Sequence, residues 1–289
     1  MALILDGLTK TFSSFPAVNN LSYTMDTGVY GLLGVNGAGK TTLMRMLCTL
    51  LTPTSGTITW DGQDIFSLGS AYRNLLGYLP QDFGYYPDFS VQDYLLYIAS
   101  IKGLRPATAR QRMQSLLEQV GLTQVRRQKM KKLSGGMKRR AGIAQAMLSD
   151  PGILILDEPT AGLDPRERIR FRNLISQFSE NRIVILATHI VSDVEFIANK
   201  ILLLHQGELL KFAPPTELCR ELDGKVWALT LAEPDVPASL VHHTISNLAR
   251  EENGIRLRIL SETQPHPDAR PVEADLEEVF LYHCGEETQ

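Results

Sequence analysis

The sequence is poor in cysteine, has no excess of positive charge and contains no long apolar segment. The three cysteines, Cys48, Cys219 and Cys284, lie far apart without a CxxC pair, which excludes a recognisable zinc or disulfide framework and suits a reducing compartment. The formal net charge of −3 gives no support to nucleic acid as the main partner. No run of about 18 apolar residues occurs, and the first residues lack the basic segment of a signal peptide. We therefore expect a soluble, cytoplasmic chain.

The composition is that of a globular protein with a substantial core. Of the 289 residues, 44% are hydrophobic and 21% are charged. A chain of this length can hold one large domain, or one domain and a small appendage. No internal repeat is present, so the fold has to be inferred from motifs and from the hydrophobic pattern.

The glycine-rich stretch at residues 34–42 has the spacing G-x-x-x-x-G-K-T of a phosphate-binding loop. Glycines let the backbone approach an anion, Lys40 can reach the β- and γ-phosphates, and the Thr41 hydroxyl can join a magnesium shell. A predicted strand at 29–33 and a helix from residue 43 flank the loop, as such a site requires. A simple glycine-rich turn is the alternative. The predicted nucleotide-binding residues of this stretch are Gly34, Asn36, Gly37, Ala38, Gly39, Lys40, Thr41 and Thr42.

Strand and helix patterns alternate along most of the chain, which is typical of an α/β fold. A polar loop is expected at 13–16, helical spacing dominates residues 82–150 behind a candidate N-cap at Ser90, and a helix is expected at 166–178. Strands are predicted at residues 3–5, 21–25, 57–60, 75–79, 153–156, 183–187, 201–204 and 208–212. From residue 213 to 289 the pattern changes to a small α+β appendage, with strands at 225–231 and 255–260 and a helix at 273–283.

Two carboxylates, Asp157 and Glu158, end a continuous apolar strand. In a phosphate-loop fold that strand lies beside the loop, so Asp157 is expected where magnesium binds. Glu158 is placed to polarise a water for in-line attack on the γ-phosphate. An ordinary acidic turn after a strand is the alternative.

A second candidate anion cradle precedes the helix that begins near residue 138. Ser134, Gly135 and Gly136 combine a hydroxyl with the free N–H groups of a helix start. One chain needs one cradle for one phosphate, so the second suggests a second subunit; an ordinary N-cap is the alternative. The basic residues 138–140 and 129–132 are interpreted as solvated faces rather than nucleic-acid patches.

Taken in order, these motifs resemble the ATP-binding subunit of an ABC transporter across residues 1–212. The resemblance rests on the phosphate loop, Gln81, the sequence Leu-Ser-Gly-Gly-Met at 133–137, the strand ending at Asp157 and Glu158, residues 161–164, and Thr-His at 188–189. It implies a RecA-like α/β core of the phosphate-loop NTPases, with an antiparallel β-subdomain and a helical subdomain at about 82–150.

The resemblance also implies roles for single residues. Phe12 would stack on adenine, although the family more often has Tyr there. Gln81 would touch magnesium and the attacking water, Ser134 with its two glycines would bind the γ-phosphate held by the opposite subunit, and Asp164 would lie across the dimer interface. His189 would hold the γ-phosphate and orient Glu158. The implied catalytic residues are Glu158, His189, Gln81 and Lys40, and the implied magnesium ligands are Thr41, Gln81 and Asp157.

The implied function is that of an ATP- and magnesium-dependent motor that works as a head-to-tail dimer on a separate membrane permease, peripheral to the inner face of the membrane. Residues 85–91 resemble subunits that serve exporters of drugs, lipids and polysaccharides, and residues 274–281 resemble their C-terminal tail. That tail is open to a regulatory, a dimer-supporting or a plain structural role. The alternative functions are a non-transport ABC-type ATPase and a nucleotide-dependent regulatory module.

Overall fold

The computed structural model describes residues 1–231, 243–251 and 254–285. Its contacts divide the chain into two units, Met1–Leu209 and Leu210–Gln289. Within the described residues, no helix has both the length and the apolar character needed to cross a membrane.

The strands as far as residue 213 form two sheets. In chain order they are β1 (Leu3–Phe12), β2 (Phe15–Met25), β3 (Gly28–Leu33), β4 (Ser55–Trp60), β5 (Gln63–Asp64), β6 (Leu76–Leu79), β7 (Ile153–Asp157), β8 (Ile183–Thr188), β9 (Lys200–His205) and β10 (Glu208–Ala213). One sheet has the order β2-β1-β4-β5 with antiparallel pairing, and the other has the order β10-β9-β3-β8-β7-β6. The antiparallel hairpin is longer than predicted, because β2 begins at Phe15 and leaves a turn of only Ser13 and Ser14.

The centre of the six-stranded sheet is parallel and fully buried. Strands β7 and β8 are apolar and buried at every position up to their polar ends, as strands covered on both faces must be. Strand β7 does not lie directly beside the strand that leads into the phosphate loop, where the motifs predict it, because β8 lies between β7 and β3. Because β3, β8 and β7 are parallel, their carboxyl ends still meet at one edge, where ligands of such sheets bind.

The helices of the first unit are α1 (Lys40–Leu47), α2 (Ile65–Leu68), α3 (Ser70–Asn74), α4 (Val91–Ile101), α5 (Pro106–Gln119), α6 (Gly135–Met147) and α7 (Pro165–Phe178). Helices α4, α5 and α6 pack on one another and form the predicted helical part. Ser90 caps α4 as predicted, since its hydroxyl accepts a hydrogen bond from the Asp93 N–H at 3.2 Å.

The described residues of the second unit contain a four-stranded antiparallel sheet and two helices. Its elements are α8 (Pro215–Arg220), β11 (Val226–Leu231), β12 (Thr244–Glu251), β13 (Gly254–Leu260), β14 (Arg270–Pro271) and α9 (Leu276–Cys284). The sheet order is β12-β13-β11-β14, and Leu229, Leu257 and Ile259 form its core. Strand β12 was not predicted, because almost all of its residues are exposed and it has no apolar alternation.

Candidate functional site

The loop between β3 and α1 is pressed against neighbouring backbone, which explains its glycines. Gly39 has a φ of 102°, and a Cβ atom there would lie 2.3 Å from the carbonyl oxygen of Ala17. Gly34 is required for a different reason, because its Cβ would lie 2.5 Å from the carbonyl oxygen of Leu204. Any side chain at either position would displace the loop.

Lys40 begins α1, and its ammonium group lies over the loop. The Nζ atom donates hydrogen bonds to the carbonyl oxygens of Gly34, at 2.6 Å, and of Val35, at 3.1 Å. Lys40 is buried, so its charge acts in a region with little water to screen it. A buried cation at a helix N-terminus is a strong site for a phosphate.

A cleft of about 420 Å³ brings most of the predicted site residues together. Its size is within the usual range for small-ligand sites, roughly 300–1,000 Å³. It is lined by Phe12, Asn36, Gly37, Ala38, Gly39, Lys40, Thr41, Thr42, Gln81, Asp157, Glu158 and His189, which the sequence predicted, and by Phe15 and Ala17, which it did not. The wall combines a cation, hydroxyls, carboxylates and exposed aromatic rings, and this set of groups fits a nucleoside triphosphate with a divalent ion.

The two carboxylates at the end of β7 are both buried. The pKa of Asp157 is raised to about 6, chiefly by burial and also by the neighbouring charge of Glu158, against the lowering effect of Lys40, Arg139 and Arg45. A buried carboxylate with a raised pKa gains most from a bound cation, because the cation restores the stability of the charged form.

Glu158 is held by the end of the neighbouring strand. Its Oε1 lies 2.9 Å from Nδ1 of His189, and its Oε2 accepts a hydrogen bond from the Thr188 hydroxyl at 3.4 Å. Its backbone N–H donates to the carbonyl of Ala187 at 2.9 Å. The residue has a φ of 44°, an uncommon conformation for a residue with a side chain, and such strain concentrates at functional sites.

The segment after His189 is fixed by residues that the sequence analysis missed. The Thr160 hydroxyl donates a short hydrogen bond to the buried carboxylate of Asp193. Arg172 of α7 donates to the carbonyl of Ser192 at 2.8 Å. Both bonds tie the His189 segment to the chain that follows Glu158, so the two polar strand ends are held as a unit. A lone threonine and a lone aspartate carry no sequence signal that would have identified this pair.

Two phenylalanines lie at the outer edge of the cleft. Phe12 and Phe15 are directly paired across the β1–β2 hairpin, and they are 48% and 60% exposed. Lys10 lies over the Phe12 ring, with Nζ 5.4 Å from the ring centre. Exposed aromatic faces of this kind are suited to stacking on a base. Phe15 was missed because the sequence suggested a loop at this position.

The segment Leu133–Met137, which we call the signature segment, is not part of the cleft wall. Ser134 caps α6 by accepting the Met137 N–H at 3.2 Å, and both Ser134 and Gly135 are exposed at the surface. None of Ser134, Gly135 and Gly136 is among the described residues that line the cleft. Asp164 likewise caps a helix, accepting the Glu167 N–H at 2.9 Å at the start of α7.

The interpretation of the basic residues 138–140 as a solvated face is wrong for Arg139 and Arg140. Arg139 is half-buried and donates to two backbone carbonyls, and Arg140 donates to the carbonyl of Val120 at 2.7 Å and pairs with Glu167 at 3.2 Å. A run of basic residues in the sequence does not reveal which of their side chains point into the protein. The solvated interpretation does hold for Lys129 and Lys131, which are half-exposed.

The comparisons with known proteins all point to the same family. Residues 18–161 match the family described as ABC transporter. The chain is 33% identical over 293 residues to the Nod factor export ATP-binding protein I of Burkholderia lata, covering 97% of this chain and 96% of that protein. It is 34% identical over 221 residues to the linearmycin resistance ATP-binding protein LnrL of Bacillus subtilis, covering 76% of this chain and 71% of that protein.

Solved structures agree with this result. The structure of cbiO1 from Clostridium perfringens, titled as part of the ABC transporter complex cbiONQ, has a TM-score of 0.70 and 26% identity over 76% of this chain and 93% of that one. The dimeric ATP-binding cassette MJ0796, bound to ADP and Pi, has a TM-score of 0.65 at 24% identity, covers 73% of this chain and 98% of that one, and shows the fold alone. The resemblance and the fold class predicted from the sequence are thus confirmed: the chain belongs to the ATP-binding proteins of the ABC transporter family, and it is an ATPase.

Proposed function

We propose that this chain is the motor subunit of an export system, in which two copies bind two ATP molecules between them and drive a separate membrane permease. The observation that carries this proposal is the separation of the two phosphate cradles. The loop with Lys40 lines the cleft, whereas Ser134 and Gly135 are exposed at the surface outside it. A head-to-tail pair of chains would place the signature of one copy over the cleft of the other and complete both sites.

Within each site the chain's own residues have distinct roles. Lys40 and the N-terminus of α1 hold the β- and γ-phosphates. Glu158 accepts a proton from the attacking water, and His189 holds the Glu158 carboxylate in place through the 2.9 Å contact while its exposed face is turned to the γ-phosphate. Both residues directly follow adjacent strands, so the backbone of the sheet sets the spacing between them.

The donor set at the same edge fits a magnesium ion. Thr41, Gln81 and Asp157 supply the hydroxyl, amide and carboxylate oxygens that this ion prefers. When bound, it would neutralise the charge that develops on the transferred phosphoryl group. Phe12, with Phe15 beside it, would stack on the adenine ring.

The permease partnership is supported by the relatives and by one exposed aromatic cluster. The relative from Burkholderia lata is named for export, and cbiO1 is titled as part of a transporter complex. In this chain Tyr86, Phe89 and Tyr97 form a cluster with ring centres 5.0–5.7 Å apart, and Tyr86 and Tyr97 are partly exposed. We propose that a short segment of the permease packs near this cluster, at the inner face of the membrane.

The decisive experiment compares Glu158→Gln with Glu180→Gln, an exposed carboxylate at the far end of the sheet. Each variant is mixed with ATP and magnesium, and both hydrolysis and molecular mass in solution are measured. Glu158→Gln should lose about 10²–10⁴-fold in kcat, the usual contribution of a general base, and should accumulate as a dimer in ATP. Glu180→Gln should match the parent chain.

The rival functions are distinguished by this assay together with a co-purification from native cells. A regulatory module would bind ATP without turnover in the parent chain as well. A non-transport ATPase would hydrolyse ATP and dimerise, but it would not co-purify with a membrane protein from its native cells. Normal turnover by Glu158→Gln would show that Glu158 is not the general base.

A further inference from the structure

Arg139 connects helix α6 to two backbone positions beside the cleft. These positions, next to Gln81 and at Glu158, are called the catalytic edge below. Arg139 lies in the second turn of α6, whose N-cap is Ser134. Its Nη1 atom donates to the carbonyl oxygen of Pro80 at 3.2 Å, and its Nη2 atom donates to the carbonyl oxygen of Glu158, also at 3.2 Å. One guanidinium group therefore bridges three segments that are far apart in the sequence.

Both acceptors adjoin residues of the proposed site. Pro80 directly precedes Gln81, a cleft residue that follows the end of β6. The second acceptor belongs to Glu158 itself, at the residue whose φ of 44° departs from ordinary strand or helix geometry. A hydrogen bond to that carbonyl helps to hold the peptide unit in its strained orientation.

The electrostatic setting favours a cation at this position. Burial lowers the pKa of Arg139, and the charges of Asp82, Asp157 and Glu158 act in the opposite direction. Arginine stays charged under such conditions, and its planar fork presents two donors at a fixed spacing. Lysine would place a single ammonium on a flexible stem and could not reproduce that fork.

The helix is also packed tightly against the end of β6. A Cβ atom on Gly142 would lie 2.7 Å from Cδ1 of Leu79 and 3.3 Å from the Phe83 ring. This contact leaves little room for α6 to slide on the sheet edge, so a displacement of the strand ends is transmitted to the helix. Arg139 provides the polar connection at the same interface.

We propose that Arg139 is a positioning residue that locks α6 to the Pro80–Gln81 turn and to the backbone of Glu158, so that the signature at Ser134 moves with the cleft residues of its own chain. This inference rests on the proposed function, because it assumes that Gln81 and Glu158 act in hydrolysis. Arg139 then acts through other residues, and its loss should lower turnover without weakening ATP binding.

The test measures kcat and KM for ATP in Arg139→Ala, with Arg182→Gln as the matched control. Arg182 is another half-buried arginine that donates to a backbone carbonyl, that of Pro151 at 3.3 Å, at the opposite end of β8. Arg139→Ala should lower kcat by about 10-fold or more with KM within about threefold, the pattern of an interaction made in the transition state. Millimolar guanidinium should restore part of the lost kcat. Arg182→Gln should keep the kcat of the parent chain.

Other outcomes overturn the inference. A parental kcat in Arg139→Ala, or a raised KM with unchanged kcat, would show that Arg139 does not position the catalytic edge. If Arg139→Ala does not fold, Arg139→Lys decides in its place, since it keeps the charge but lacks the fork: reduced kcat supports the inference and parental kcat overturns it. Failure of the parent chain to hydrolyse ATP would overturn the proposed function and this inference together, whereas an inactive Glu158→Gln beside a fully active Arg139→Ala would overturn this inference alone.

Discussion

Nδ1 of His189 lies 2.9 Å from Oε1 of Glu158, and the two residues directly follow neighbouring parallel strands. Strand pairing fixes this relationship, because Asp157 of β7 is in register with Ala187 of β8. The proposed orienting role of the imidazole therefore does not depend on a flexible loop. In the proposed role of base, a carboxylate held in this way would need little reorganisation at the moment of proton transfer.

Without the imidazole of His189, the protein should still bind ATP but should hydrolyse it slowly. We expect His189→Ala to lower kcat by about 100-fold, at the low end for a group that supports acid–base catalysis, with ATP affinity changed only a few-fold. Steady-state kinetics and a fluorescent-nucleotide titration measure the two quantities. His266→Ala, in the second unit, removes an imidazole that accepts a hydrogen bond from the Asp268 N–H of its own loop, and serves as the control. A His189→Ala variant with near-parental turnover would contradict the proposed role.

Gly39 should be intolerant of even one added carbon. Gly39→Ala combines a positive φ with a Cβ atom only 2.3 Å from the carbonyl oxygen of Ala17, whereas Gly62→Ala has a φ of 81° and open space around the new methyl group. The shared backbone strain is about 1–2 kcal/mol, and the overlap adds about 1–3 kcal/mol at Gly39 alone. Urea unfolding should therefore separate the variants, and only Gly39→Ala should lose ATP binding. Equal effects of the two substitutions would show that the contact with Ala17 is unimportant.

Ser134→Arg tests the proposed completion of the site by a second copy. A bulky cation at the N-cap of α6 should block the approach of another chain, so ATP should no longer promote dimerisation and kcat should fall with it. Binding of ATP to the chain's own cleft should persist, because Ser134 does not line it. Ser115→Arg, at another exposed serine of the helical part, is the control. Analytical ultracentrifugation with and without ATP is the measurement, and ATP-driven dimers of Ser134→Arg would rule out the cross-subunit cradle.

Because of Glu278, the second unit should become less stable as the pH falls into the acid range. The residue is buried and accepts hydrogen bonds from Arg258, at 2.6 and 2.7 Å, and from the Ser246 hydroxyl at 2.7 Å. Burial by itself would raise the pKa of Glu278, but the bonds from Arg258, Ser246 and the Asp275 N–H together lower it below its ordinary value of 4.5. The stabilisation is therefore complete above 4.5 and disappears as the pH falls through the lower, folded-state pKa.

Glu278→Gln should accordingly destabilise the second unit by about 2 kcal/mol at pH 7, the scale of hydrogen bonds to a charged group, and by less below pH 4.5. Glu277→Gln, at an exposed neighbour in the same helix turn, should have little effect at either pH. Trp227 lies in β11, so its fluorescence in a Trp60→Phe background reports on this unit alone. A difference between the two variants that stays constant with pH would contradict the expectation.

The sequence predicted what depends on local spacing and missed what depends on side-chain direction. The phosphate loop, the Ser90 cap and the buried strands β7 and β8 have short-range signals, because their chemistry requires particular residues at fixed intervals. Arg139 belongs to a run of basic residues that is typical of a solvated face, and only the packing of α6 directs the Arg139 side chain into the protein. The exposed strand β12 escaped prediction because no buried face imposes alternation on it. The roles assigned to the cleft residues stay predictions until the variants are measured.

The left-handed backbone of Glu158 has a consequence for any attempt to improve this protein. A residue with a Cβ atom in that conformation raises the energy of the folded chain by about 1–2 kcal/mol, which glycine would avoid and asparagine would tolerate. A library screened only for heat resistance would therefore tend to collect glycine or asparagine at position 158. With Glu158 in its proposed role of base, such clones would survive heating and lose ATP hydrolysis, so laboratory evolution of this chain has to select for turnover and for thermal survival in the same round.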